Sequence, residues 1–417
     1  MKQYKLLNNK VSKTAFALFL TAMLFLSRDT LFSSCIMGFA KSQILMMGLI
    51  VLLGVVFLWV NRNQFVQILK DRRIVVIVIS ALLLLLPMVV KKDWQLMYLS
   101  ILLCVLTSVF LTYFTNSREV AKYYVVILTV LGLYSIFATY CLKMPAREGL
   151  INPNLFYNSK DTKFYNFWFA YVMPSRHWHR NFGIFREPGV YQFFVLLGIY
   201  LNNYTADWDK QWKLWTCNVI LAVTMLSTFA MGGYAELALL VVFLFFDKKW
   251  YREKWGKIAA VAALLAVAAV VGLFFYYMTR TDFVHSIFYE YYDMFLRFTT
   301  DSDSMNDRKD AVITNIRFFT QNPLVGAAIA EVLHGTNHNT SSTMLLYAIF
   351  GVAGGTLNVA AWIALLWKKE RHWLGNLILL PILFLSFNTQ NLVANVFFWL
   401  FPMMTLVERG LPLLKKE

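Results

Sequence analysis

The residues able to do chemistry in this 417-residue chain gather in three short stretches. The first reads Arg176-His177-Trp178-His179-Arg180-Asn181-Phe182-Gly183-Ile184-Phe185-Arg186-Glu187-Pro188-Gly189. The second, residues 305–319, carries Arg308, Lys309 and Arg317. It leads through the turn Asn322-Pro323-Leu324-Val325-Gly326 into the third, a loop holding His334, His338 and Asn339. Arginine's planar fork donates two parallel charge-assisted hydrogen bonds to a phosphate and cannot lose its proton. Arg180, Arg186 and Arg308 are therefore candidates to hold a lipid-borne, phosphate-bearing anion. An imidazole can be neutral at external pH, so His338 is the leading candidate for a general base, with Glu187 second. His334, Asn339 and Trp178 are further candidates for the substrate-binding surface. Each of these side chains also has a purely structural use: snorkelling to headgroups, an Arg186–Glu187 ion pair, or helix capping by a histidine. His177 and His179, spaced i, i+2, lack a third ligand, and no metal site is expected.

Membrane helices must position these stretches. The chain is 59% hydrophobic and 15% charged, with mean hydropathy +0.55. Soluble domains have about 45–50% apolar and about 25% charged residues. Its apolar blocks of roughly 14 to 26 residues are mostly long enough to cross the hydrocarbon as helices. They are continuous, which excludes the alternating pattern of spanning strands. The expected fold is an all-α polytopic membrane protein, one membrane domain over 1–417. Spans are expected near 14–27, 44–60, 74–90, 94–114, 123–142, 188–203, 214–231, 234–246, 258–278, 341–367, 374–387 and 393–407, with residues 31–40 as an interfacial or re-entrant turn. The basic N-terminus shows no clear cleavage site and reads as a retained first helix. The four cysteines follow no spacing pattern and read as small buried residues.

The net charge of +16 does not imply nucleic acid, because most cations sit in short connections, where they set topology. Twelve spans with both termini cytoplasmic place 23 of the 39 Lys and Arg inside, including Lys248, Lys249, Arg252, Lys254 and Lys257. Only Arg28, Lys41, Lys91 and Lys92 then fall in short outer connections. This topology delivers two long extracytoplasmic loops, 143–187 and 279–340, and function concentrates on such loops. The first is dense in aromatics, suited to a bilayer belt or to a platform for sugar rings. In the second, residues 283–298 repeat apolar side chains at helical spacing, as an interfacial helix would. A helix over 305–319 puts Arg308, Val312 and Asn315 on one face and should end near Asn322-Pro323. Pro188 suits the first turn of a helix. Gly351, Gly354 and Gly355 read as small faces for close helix packing.

The order of a basic Arg-containing segment, Asn-Pro-Leu-Val-Gly, a loop ending His338-Asn339 and a glycine-broken Leu-rich helix resembles the bacterial O-antigen ligase and polymerase superfamily. Arg180-Asn181-Phe182-Gly183 before Glu187-Pro188 is similar to that family's Arg-x-x-Gly stretch ahead of a central span. The turn has Ala327 where the family often has a second glycine. The resemblance implies a GT-C-like, metal-independent glycosyltransferase without a cofactor, acting at the outer face of the bacterial cytoplasmic membrane. Its substrate would be a glycan on undecaprenyl pyrophosphate, and its partners membrane lipids, a chain-length regulator and a flippase. The expected activity is repeat-unit polymerisation into O-antigen, capsular or exopolysaccharide, as the Phe-Arg-Glu-Pro-Gly wording suggests. Transfer of the glycan to lipid A–core by a ligase is the alternative, and a lipid-linked oligosaccharide flippase the alternative from another class.

Overall fold

The computed structural model describes residues 10–60, 70–158, 161–174, 180–249, 252, 303–335, 339–369, 371, 373–388 and 390–413. The expected span at 258–278 and the expected interfacial helix at 283–298 lie outside these residues, as do His338, Trp178, His177 and His179. The described chain is mostly helical. Its helices are α1 (Lys10–Leu26), α2 (Phe39–Val60), α3 (Arg73–Val90), α4 (Leu96–Leu111) and α5 (Ser117–Phe137). After a long connection follow α6 (Pro188–Tyr204), α7 (Gln211–Ser227) and α8 (Met231–Asp247). The remainder are α9 (Asp303–Gln321), the short α10 (Ile329–His334), α11 (Ser342–Leu366), α12 (Trp373–Asn388) and α13 (Val396–Leu413).

Four of these runs are long and apolar enough to cross a membrane: Ala40–Val60, Arg73–Val90, Ser117–Arg147 and Ser342–Leu366. Shorter apolar helices cover Lys13–Leu26, Leu96–Leu111 and Trp373–Ser386. The third long run continues past α5 through a π-helical turn, Ala138–Leu142, to Arg147. Residues 31–40 form a second π-turn, Phe32–Ile36, before α2 begins. The bundle is centred on α6, which is buried on every side from Val190 to Asn203. A helix apolar all round is a core helix, and this one packs against α5, α7, α8 and α12. Its rings interlock with α11 and α13: Phe193 meets Trp362 edge-on at 6.3 Å, and Phe194 meets Phe397 at 6.2 Å. Two buried tyrosines satisfy their hydroxyls on helix carbonyls, Tyr124 on Phe194 and Tyr200 on Leu365.

Side-chain contacts sort the connections into two polar ends. At one end Arg371 bridges to Asp247, while Lys248, Lys368 and Arg371 all lie within 5 Å of the Tyr204 ring centre. The Glu408 carboxylate accepts from Ser117 there. At the other end Lys91 donates to Asn322, Asp93 accepts from the Ala330 amide, and Asp29 pairs with Arg186 and Asn395. No contact among these joins a connection expected inside to one expected outside.

Three differences from the sequence reading have clear causes. The first long connection holds a small antiparallel sheet, β1 (Asn154–Tyr157), β2 (Lys163–Asn166) and β3 (Tyr171–Val172), in that order. Phe156 stacks on Phe164 at 5.5 Å, and Phe164 meets Phe182 at 5.4 Å, so part of the aromatic density is a small core. Gly351 is not a helix-packing glycine: it kinks α11, with φ 63° and ψ −162°. Of the cysteines, Cys104 and Cys217 are buried, but Cys35 is half-buried and Cys141 exposed; these last two lie in the π-helical turns.

Candidate functional site

Because α6 is the central helix, its N-terminus delivers the residues ahead of it to the middle of one polar end. Pro188 occupies the first helical position, as expected, and Glu187 is the N-cap, its side chain making no capping bond. The segment before it is fixed by Asn181, which is fully buried. Its amide donates to Ser135 Oγ and Ser227 Oγ, and its Oδ1 accepts from the Gly183 N–H. Gly183 has φ 55°, and a Cβ there would lie 2.7 Å from the Tyr191 ring. Only glycine suits both demands. Arg180 donates through Nε to the Thr228 carbonyl at 3.3 Å, at the turn between α7 and α8.

Arg186 meets a carboxylate the sequence reading did not include. Its Nε lies 3.3 Å from Asp29 Oδ1, and its Nη1 lies 3.8 Å from Glu187 Oε1. The backbones run together as well: the Arg186 N–H donates to the Asp29 carbonyl, and the Leu31 N–H donates to that of Ile184. The other Asp29 oxygen accepts from Asn395 Nδ2 at 2.8 Å. Asn395 is oriented for this because its own Oδ1 accepts from the Phe397 amide at the start of α13. Arg28 completes the group. Burial pushes its pKa below the usual arginine value, Asp29 opposes that, and Arg186 adds to it as a like charge. The Asp29 side chain is 2% exposed and that of Arg186 36%, so one guanidinium still faces solvent while its counter-ion is buried.

The second candidate stretch forms α9, which ends at Gln321 ahead of Pro323, as expected. Ala311 and Asn315 face inward, whereas Arg308, Ile313 and Ile316 are exposed. Asn315 and Asn339 exchange two side-chain hydrogen bonds, of 3.0 and 2.8 Å. The Asn339 amide is thus occupied in holding the third stretch to α9. His334 stands exposed in the last turn of α10.

The turn after α9 and the kink in α11 are one joint. The Ala327 N–H donates to the Ala348 carbonyl at 2.8 Å, and the Val352 N–H to that of Pro323 at 2.7 Å. Gly326 has φ 85°, and a Cβ on it would sit 2.1 Å from the Ile349 carbonyl oxygen. A Cβ on Gly351 would sit 2.4 Å from the Leu324 oxygen. Lys91 Nζ donates to Asn322 Oδ1 at 2.7 Å, and Tyr98 and Asp93 receive the first two amides of α10. The short connection between α3 and α4 therefore clamps this turn.

Between these two halves lies a buried polar cluster on α6, α8 and α12. Glu236 and Gln192 are each 3% exposed. Glu236 Oε2 and Gln192 Oε1 have no hydrogen-bond partner among the described residues. Ser386 acts on the Glu236 carboxyl as a hydrogen-bonding neighbour, and the Arg308 charge is close enough to act on it. Gly189 and Gly233 let the side-chain amides approach backbone: Cβ atoms there would lie 2.6 Å from Gln390 Nε2 and 2.5 Å from Gln192 Oε1.

Of the residues singled out by sequence, Arg186 and Glu187 share one ion-pair group, while Arg308 lies exposed on α9 and acts on Glu236 only through its charge. Arg180 is bound at the neighbouring α7–α8 turn, while His334 and Asn339 belong to the α9–α11 joint. Sequence reasoning missed Arg28, Asp29, Asn395, Gln192 and Lys91 as site residues. The adjacent charges Arg28-Asp29 just after α1, and the polar run 388–391 shortly before Asn395, were the available signals. Among the described residues no group of three or more His, Cys, Asp or Glu could hold a metal. No family model, no curated protein and no solved structure matches the chain.

Proposed function

We propose that this protein is a GT-C-like glycosyltransferase of the bacterial cytoplasmic membrane that polymerises undecaprenyl-pyrophosphate-linked repeat units at the outer face. The observation that carries this reading is the half-exposed Arg186 at the head of the buried helix α6, backed by Arg28, Asp29 and Asn395. A lipid pyrophosphate needs preorganised cations at the point where its charge develops. Arg186 is held by Asp29 from below and presents the rest of its fork outward. Arg308 is exposed on α9, and Arg180 supplies a third cation at the α7–α8 turn. In this reading the arginines bind the pyrophosphate and the acceptor hydroxyl attacks the anomeric carbon. The likeness to the ligase and polymerase superfamily in the 180–189 and 305–355 segments supports it further.

Twelve spans, with both termini in the cytoplasm, belong to the same proposal. The separation of contacts into two polar ends supports that count. The cation-rich end around Tyr204 would face the cytoplasm, in keeping with the bias of Lys and Arg in short inner loops.

Purified protein in lipid nanodiscs, given undecaprenyl-pyrophosphate-linked repeat units, should build a ladder of longer chains without any membrane gradient and in the presence of a chelator. In cells, deletion should remove the long ladder yet leave single repeats transferred. Long chains accumulating on undecaprenyl pyrophosphate after deletion would instead identify a ligase. One observation favours a transport reading: Glu236 is an ionisable group buried within the bundle, as in carriers. Translocation of the lipid-linked unit with no elongation would establish that reading and sink the polymerase.

A further inference from the structure

We infer that Glu236 accepts the proton of the attacking hydroxyl, and that Glu236 and Gln192 form the seat of the acceptor sugar. This rests on the polymerase reading above and names the part of it that the arginines do not supply. The argument begins with two oxygens. Glu236 Oε2 and Gln192 Oε1 are buried on adjacent helices, and neither has a hydrogen-bond partner among the described residues. Leaving a buried acceptor unmatched costs about 1–3 kcal/mol, and more for a charged group. A side chain kept only for packing would be apolar. In the ionised state that a base requires, Glu236 offers only acceptors, as Gln192 Oε1 does, so the two oxygens call for a ligand that brings donors. The chemical class that fits is a neutral polyhydroxylated ring, whose O–H groups donate to both.

Position supports the same class. Glu236 lies five residues into α8, about 7–8 Å along the axis from its start at 1.5 Å per residue. That start is the end of the bundle where Arg180 holds the α7–α8 turn and where α6 presents Arg186. The glycines at 232 and 233 carry no side chains to separate the first turn of α8 from Gln192. In the step itself the acceptor O–H bond breaks and its proton moves to Glu236 Oε2. The acceptor oxygen bonds to the anomeric carbon, and the bond from that carbon to the pyrophosphate oxygen breaks, its electron pair leaving with the pyrophosphate. No oxidant, reductant or co-reactant enters.

The test uses the full chain in nanodiscs, with an undecaprenyl-pyrophosphate-linked repeat unit as donor and a short-prenyl repeat unit as acceptor. Glu236→Gln should lower kcat by at least about 100-fold, the lower limit for loss of a general base. Its binding of undecaprenyl pyrophosphate should stay within twofold of wild type. Glu236→Ala should recover part of its turnover when formate is added. Gln192→Leu should raise KM for the acceptor far more than it lowers kcat. Arg308→Ala, by contrast, should weaken pyrophosphate binding. If Glu236→Gln elongates within threefold of wild type, the assignment is wrong while the polymerase reading stands. If Glu236→Gln and Glu236→Asp lose donor binding and melting temperature together and formate rescues nothing, Glu236 is a packing residue and the inference falls. If the wild-type protein moves lipid-linked glycan between leaflets without lengthening it, the polymerase reading fails and takes the inference with it.

Discussion

Replacing Gly351 with alanine tests whether the 322–326 turn and the kink of α11 are a single joint. The residue sits at φ 63°, ψ −162°, a region that costs an L side chain about 1–3 kcal/mol. A Cβ would also fall 2.4 Å from the Leu324 oxygen and 2.7 Å from that of Pro323. Both obstacles are backbone, so no rotamer change relieves them, and the turn itself has to retreat. Retreat breaks the Val352–Pro323 and Ala327–Ala348 hydrogen bonds, at about 1 kcal/mol each. The expected loss is therefore about 3–5 kcal/mol, combining strain and hydrogen bonds. Thermal unfolding in detergent measures it, with Gly48→Ala as control, because a Cβ on Gly48 meets nothing within 4 Å. Gly351→Ala should melt well below both the control and the wild type. It should also make a cysteine introduced at Leu324 react faster with a bulky thiol reagent. A melting temperature equal to that of Gly48→Ala, with unchanged reactivity, would refute the joint.

Three further outcomes follow from the same geometry. Asp29→Asn strips the counter-ion from Arg28 and Arg186 and should cost about 2–4 kcal/mol, below the usual penalty for a broken buried pair because Arg186 is partly exposed; a denaturant midpoint equal to wild type would count against it. Asn315→Ala and Asn339→Ala should each cost about 1–3 kcal/mol by orphaning the other amide, and a double-mutant cycle should show the pair far from additive. Arg308→Ala should abolish elongation while protein levels hold, and near-normal ladders from that variant would remove Arg308 from the mechanism.

Much of the helical scaffold was legible in the sequence because apolar runs report helices directly. Pro188 at the head of α6 and Pro323 beyond α9 marked their boundaries through backbone rules that need no tertiary context. The candidate site was legible only where a cation stood beside a helix start, as Arg186 does. Asp29 and Asn395 escaped because their partners lie far away along the chain, and nothing local distinguishes a counter-ion from a loop residue. For a related reason Gly351 read on its own as a packing glycine, although the family likeness implied a glycine-broken helix. A glycine inside an apolar helix looks the same whether it makes room for a neighbour or reverses φ. Only the arrival of the 322–326 turn decides between them. The small sheet in the first connection went unseen because its aromatics come as adjacent pairs, Phe156-Tyr157 and Phe164-Tyr165, and resemble a membrane belt.

The bond between Asp29 and Asn395 spans 366 positions of the chain. During synthesis the aspartate is made 366 residues before its amide partner. Until α13 has been inserted, Asp29 lacks its hydrogen bond from Asn395, and Arg186 rests on an incompletely braced counter-ion. A chain whose α12–α13 hairpin fails to enter the bilayer therefore carries Arg186 on an unfinished platform. The order of translation thus makes the centre wait for α13 through a single amide–carboxylate contact.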